Sequence, residues 1–171
     1  MNWLLTNLVM DAKSIVVRGI CLDADLDVEF TKPNTGAANI MATTYEQLAP
    51  GYDFPPGRYE LTSSLVSQYL KAVDNPDELR VFEGFVPPLA MAAYAMAEMS
   101  RYLSLPPGSI HASQELEFLK LVPIGAIVEC QAKVVKKLTR GTLRMLVLGI
   151  DVLDQGKQKV QSGKATVILP A

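Results

Sequence analysis

VPPLAMAAYAMAEMSRYL, residues Val86–Leu103, is the stretch whose reading decides the fold. A surface helix carries an apolar stripe and a polar back, but Leu89, Ala90, Met91, Ala92, Ala93, Tyr94, Ala95, Met96 and Ala97 cover every angle of a 3.6-residue period. Such a helix has to be enclosed. The alanines leave little bulk along the axis, so a sheet can close tightly on it, and Pro87 and Pro88 suit a first turn in which a missing N–H costs nothing. That first turn is expected to present free N–H groups around Val86–Leu89. A membrane span is the competing reading of so apolar a run. Glu98, Arg101, the two prolines and the small alanines argue for a core helix instead.

Downstream, the period changes from helical to two. Ile110, Ala112, Gln114, Leu116 and Phe118 oppose His111, Ser113, Glu115 and Glu117, until Pro123-Ile124-Gly125 breaks the run. Further strands are expected over Ala126–Leu138, Thr142–Leu153 and Lys159–Leu169, joined by short turns at 139–141 and 154–156, which makes an antiparallel meander. Upstream, a Gly/Pro-rich loop (Pro50, Gly51, Pro55, Pro56, Gly57) leads to a brief strand Arg58–Leu61. A helix follows, capped by Thr62 or Ser63, with Leu65, Val66, Tyr69, Leu70 and Val73 on one face. It ends at Asp74-Asn75-Pro76, because proline disfavours helix in the residue before it. A short strand, a helix, an enclosed helix and four long strands make an α+β layout in which one curled antiparallel sheet wraps one helix. An edge of that meander is left to want a partner.

Residues 1–42 read as an N-terminal extension. Their clearest feature is CLDADLDVEF, where Asp23, Asp25, Asp27 and Glu29 alternate with Ala24, Leu26, Val28 and Phe30 as in a half-buried strand. The D-x-D-x-D spacing also opens an EF-hand loop, but Val28 stands where glycine is needed and Asn34 where a bidentate Glu is needed. KPNTGAAN, residues 32–39, is a connecting loop, and the domain proper runs from 43 to 171.

Composition narrows the function. With 171 residues, 49% hydrophobic and 20% charged, the chain suffices for one domain with a sizeable core. A formal net charge of −2 and no long run of Lys and Arg argue against a nucleic-acid or anionic-membrane surface. Cys21 and Cys130 form no CxxC pattern, so no disulfide framework, zinc site or other metal site is expected, and a reduced, cytoplasmic compartment fits best. The opening MNWLLTNLVMDAK has neither the positive start nor the sustained apolar core of a secretory signal.

The runs VPPLAMAAYAM, PPGSIHASQELEFLKLVPIG and RGTLRMLVLGIDVLDQGKQKVQSGKATVILP together resemble the MaoC-like hydratases and dehydratases of the hotdog fold, most closely their dehydratase-like N-terminal half-domains. The resemblance covers about residues 43–170. It implies a single hotdog domain that binds acyl thioesters of coenzyme A or acyl carrier protein, needs no cofactor, and pairs side by side with a second hotdog. That pair is expected to be a homodimer, or a heterodimer with an active subunit. It also points to Asn75, Val86, Pro87, Pro88 and Leu89 as residues lining the substrate.

One departure from the family weighs on activity. Its R-specific hydratases carry an Asp followed five residues later by a His, in a G-D-x-N-P-x-H setting, whereas this chain reads AVDNPDELR and places Leu79 five after Asp74. Adding water across an enoyl thioester needs a base for the water and an acid for the carbon, so half of the machinery is missing. Asp74 and Glu83, with Asp77 and Glu78 between them, are the carboxylates that could substitute if burial raised a pKa; the plain alternative is that they solvate a loop. His111 is the only histidine and stands at a strand start, matching a family position that is not catalytic. Cys130 alternates with Val128 and Ala132 as a buried thiol. Three functions therefore stay open: a non-catalytic or partner-dependent subunit, a hydratase, dehydratase or thioesterase with altered residues, and a ligand-sensing scaffold.

Overall fold

The computed structural model describes residues 4–11, 14–20, 43–73 and 84–170, the first two as backbone only. Among the described residues, besides a short 3-10 turn at Tyr45–Gln47, there are seven strands and two α-helices: β1 (Leu4–Asp11), β2 (Ser14–Ile20), β3 (Gly57–Glu60), α1 (Ser63–Ala72), α2 (Pro88–Ser100), β4 (Ile110–Phe118), β5 (Ile127–Arg140), β6 (Leu143–Leu153) and β7 (Lys159–Leu169). They form one antiparallel sheet in the order β1-β2-β4-β7-β6-β5-β3. The meander of long strands stands as its sequence pattern predicts, because alternate residues bury one face. Val128, Cys130, Ala132 and Val134 of β5, Leu146, Leu148, Ile150 and Val152 of β6, and Val160, Ala165, Val167 and Leu169 of β7 all join the core that holds α2.

The second layer is α2 itself, with α1 beside it. Leu65 N–H donates to the Thr62 side chain to cap α1, whose Val66 and Leu70 are buried. The Tyr94 hydroxyl of α2 donates to the Leu65 carbonyl and ties the two helices together. At the far end of α2, Glu98 pairs with Arg101 at 3.0 Å and lies over Gly57 of β3. A Cβ on Gly57 would fall 2.0 Å from Glu98 Cγ, so any larger residue there would have to displace the Glu98 side chain.

Enclosure of α2 is incomplete, contrary to the sequence expectation. Ala90, Met91, Ala92, Tyr94, Ala95 and Met99 are buried, while on the flank of Leu89, Ala93, Met96 and Ala97 the first is exposed and the others are only partly buried. Leu89 is 47% exposed. The open sheet curls round one side of the helix and α1 touches another, and the remaining flank is only partly covered by the described residues. Val73, read as part of the apolar face of α1, is also exposed, because it is the residue at which that helix ends.

The edge of β4, which sequence alone leaves bare, carries the β1–β2 hairpin. Neither hairpin strand stands out by alternation. The strand expected at 23–30 and the loop expected at 32–39 lie outside the described residues.

Candidate functional site

The start of α2 is built by two prolines and a pinned loop. Gly84, at φ +85°, turns the chain so that Phe85 bridges Pro123; Val86 N–H donates to Val122 O at 2.8 Å and Ile124 N–H to Gly84 O at 2.9 Å. Pro87 precedes the helix with no side-chain cap, and Pro88 is its first residue. Ala90 and Met91 both donate to Pro87 O, at 2.9 and 3.3 Å. The supply of free donors is therefore smaller than the sequence suggests. Val86 N–H is spent on Val122 and the prolines have none, which leaves Leu89 N–H as the donor of this turn without a backbone partner among the described residues. It sits where the helix dipole is positive.

Beside this turn lies a cleft of about 180 Å³ lined by Val86, Pro88, Met91 and the run from Phe118 to Val122. Of the residues singled out from sequence, Val86 and Pro88 line it. Pro87 is buried beneath the turn, and Leu89 points its apolar side chain outward. Phe85, Leu89, Leu119 and Leu121 are exposed around the same end of the helix. Asp74, Asn75, Asp77, Glu78 and Glu83 lie outside the described residues. Met91 and the 118–122 run were missed by sequence reasoning. FLKLVPIG was legible as the end of a strand, but that it folds back against the helix start is a long-range contact with no local period.

Among the described residues, Lys120 supplies the one cation of the cleft lining. Its ammonium is held 3.0 Å from Asp154 Oδ2, and Asp154 Oδ1 accepts from Gln158 N–H. Those two hydrogen bonds, the backbone one first, hold the Asp154 carboxyl below its usual range, so it stays a carboxylate at neutral pH. Leu119 N–H donates to Val160 O and fixes the run to β7.

His111 is remote from this chemistry. It and Phe118 stand at opposite ends of β4, and seven residues of strand span about 20 Å. Burial lowers its pKa from the ordinary 6.5, against an opposite pull from Gln114 and the Ser113 backbone. The unfolded chain then binds the proton more readily than the folded one, so stability rises with pH between the two values and falls as pH drops through 6.5. Urea melts at about pH 7.5 and about pH 5.5 are expected to show a smaller loss of stability on acidification for His111→Gln than for the parent. An equal loss in both would remove the histidine from the pH response.

Cys130 is buried, as its alternation predicts; its thiol donates weakly to Ala95 O at 3.5 Å, and burial, with Glu98 and Asp151 next, pushes its pKa up to about 12. A thiol so protonated is no nucleophile.

No protein-family model matches the chain, and no curated protein does. Solved structures do. R-hydratase PhaJ1 from Pseudomonas aeruginosa superposes with a TM-score of 0.62 at 17% identity, covering 74% of this chain and 84% of that one. The MaoC-like dehydratase from Rhodospirillum rubrum gives 0.59 at 22%, over 73% of this chain and 94% of its own. The HadBC 3R-hydroxyacyl-ACP dehydratase complex from Mycobacterium tuberculosis gives 0.54 at 15%, over 70% and 96%. With its open antiparallel sheet curled on one long helix, the chain has the hotdog fold of the MaoC-like hydratases and dehydratases.

Proposed function

We propose that the chain is a MaoC-like subunit that binds an acyl thioester, of coenzyme A or of acyl carrier protein, at the start of α2 and depends on a partner for acid–base chemistry. The observation that carries this is the cleft: apolar walls from Val86, Met91 and Phe118, one unspent N–H at Leu89, one cation at Lys120, and no imidazole within about 20 Å along β4. The walls suit an acyl chain. Leu89 N–H suits a thioester carbonyl oxygen, and Lys120 suits a phosphate of the carrier. Half-open Leu89, Ala93, Met96 and Ala97 leave room for a second hotdog, and the HadBC structure is itself a complex. That second subunit is a further copy or a hotdog bearing the Asp/His pair. Residues 43–171 act as the binding domain and 1–42 as an extension to it. Thioester metabolism of this kind belongs in the cytoplasm, where the free Cys130 stays reduced.

Calorimetric titration of the purified protein with acyl-CoA tests the reading, and Leu89→Glu is the informative variant. A carboxylate in the first turn favours the helix but meets the acyl groove and the phosphates of the ligand. Affinity is expected to fall about tenfold or more while the melting temperature holds. Absence of acyl-CoA binding in the parent, alone and with a partner hotdog, would overturn the proposal.

A further inference from the structure

Period two along β7 puts Gln161, Gly163, Ala165, Val167 and Leu169 on the core side of the sheet, and all but the first are small or apolar, as that side demands. Gln161 breaks the pattern. It is 1% exposed, and among the described residues no other amide or charged side chain is buried so deeply. Its Oε1 is buried without a hydrogen-bond partner among those residues, a state that folded proteins rarely keep. On one side Gln161 is registered with Val152 of β6, a core residue, and on the other with Phe118 of β4, which lines the cleft. Directly opposed residues carry their side chains on the same face, about 5 Å apart at Cβ, so the amide stands next to the cleft wall. The run beyond Phe118 is fixed to the same place: Leu119 and Lys120 N–H both donate to Val160 O, at 2.9 and 3.3 Å, one residue before Gln161.

We propose that Gln161 is a specificity residue of the cleft: its amide oxygen accepts a hydrogen bond from a hydroxyl on the tail of the acyl chain, and the substrate class is a short acyl thioester hydroxylated beyond C3. The assignment rests on the cleft being the thioester site. Size limits the chain, because about 180 Å³ falls below the ~300–1,000 Å³ of ordinary ligand sites. Access limits the position of the hydroxyl. Carbons C2 and C3 have to stay open to a partner's acid and base, whereas Gln161 lies on the core side and reads what is carried past them. Polarity limits the donor to a neutral one, since an ammonium among Val86, Met91 and Val122 would lose far more hydration than one carbonyl returns. Gln114, whose amide is also unpartnered, is opposite Ala165, four residues farther along β7 and about 13 Å away, too far to share that hydroxyl.

Calorimetric titration with matched esters tests the assignment: butyryl-CoA against 4-hydroxybutyryl-CoA, pentanoyl-CoA against 5-hydroxypentanoyl-CoA, and 3-hydroxybutyryl-CoA as the control for recognition near the thioester. The parent is expected to bind a tail-hydroxylated ester about tenfold or more tightly than its plain partner. Gln161→Met keeps the length of the side chain and removes the amide, so it should bind both esters alike and melt no lower than the parent. Gln114→Met should keep the preference. Equal affinities in the parent overturn the role of Gln161 and leave the thioester site standing; failure of every ester to bind, with and without a partner hotdog, sinks that site and the assignment with it. A preference that survives Gln161→Met, that Gln114→Met also abolishes, or that is confined to 3-hydroxybutyryl-CoA overturns the assignment. So does a Gln161→Met chain that melts several degrees lower, because the amide would then be holding the fold.

Discussion

Purified alone, the protein is expected to hydrate crotonyl-CoA about 10²–10⁴-fold more slowly than a hydratase with an Asp and a His five residues apart, the range that a positioned acid–base group contributes. Two facts set this expectation. The position five after Asp74 is Leu79, and the only histidine of the chain stands about 20 Å along β4 from the cleft. An imidazole cannot relay a proton over that distance without a chain of carriers. On the proposed site, binding and turnover should therefore come apart: a thioester held by Leu89 N–H and the apolar walls should give a complex in calorimetry while absorbance at the enoyl band stays nearly flat. Adding a hotdog subunit that carries the pair should restore the rate. Should the protein alone prove fast, Asp74→Asn, Asp77→Asn, Glu78→Gln and Glu83→Gln made singly will show whether a carboxylate has taken over; a fast enzyme indifferent to all four would contradict this account of the site.

What could be read from sequence divides along physical lines. The meander was legible because β5, β6 and β7 bury alternate residues against one helix, so period two survives along nearly their whole length. α2 was legible because no surface helix tolerates apolar residues at every angle. Its open flank was not, since Leu89, Ala93, Met96 and Ala97 have the composition of core whether a neighbouring subunit covers them or not. The donors of the first turn were half legible. Two prolines announce two missing N–H groups, but the loss of Val86 N–H depends on Val122, which lies thirty-six residues away in the chain. The hairpin β1–β2 escaped notice for a similar reason: LLTNLVMD and SIVVRGI carry no strict alternation, and their pairing is a property of the fold, not of either segment. Met91 and the 118–122 run share a cleft only because β4 delivers its end to the start of α2.

Ala95→Leu is expected to cost about 1–3 kcal/mol, and Ala93→Leu much less, although the two alanines are two residues apart in one helix. Ala95 is fully buried, its carbonyl meets the Cys130 thiol of β5, and the helix there lies close enough to the sheet for that 3.5 Å contact. Three added carbons have no space unless β5 or α2 shifts, and interiors packed to crystal density transmit such shifts. Ala93 is only half-buried and shares the open flank with Leu89, Met96 and Ala97, so a leucine there extends toward solvent in the single chain. From sequence alone both positions looked enclosed and both substitutions looked costly. The structure separates them, and thermal melts of the two variants measure the separation. For a domain of this size, about 1 kcal/mol moves the melting temperature by about 2–4 °C, so Ala95→Leu should lie several degrees below the parent and Ala93→Leu close to it. Two equal losses would mean that α2 is enclosed on every side. If a second hotdog covers the same flank, as proposed, Ala93→Leu should weaken that pairing while leaving the melt of the dilute chain in place, an effect that light scattering across a concentration series will register.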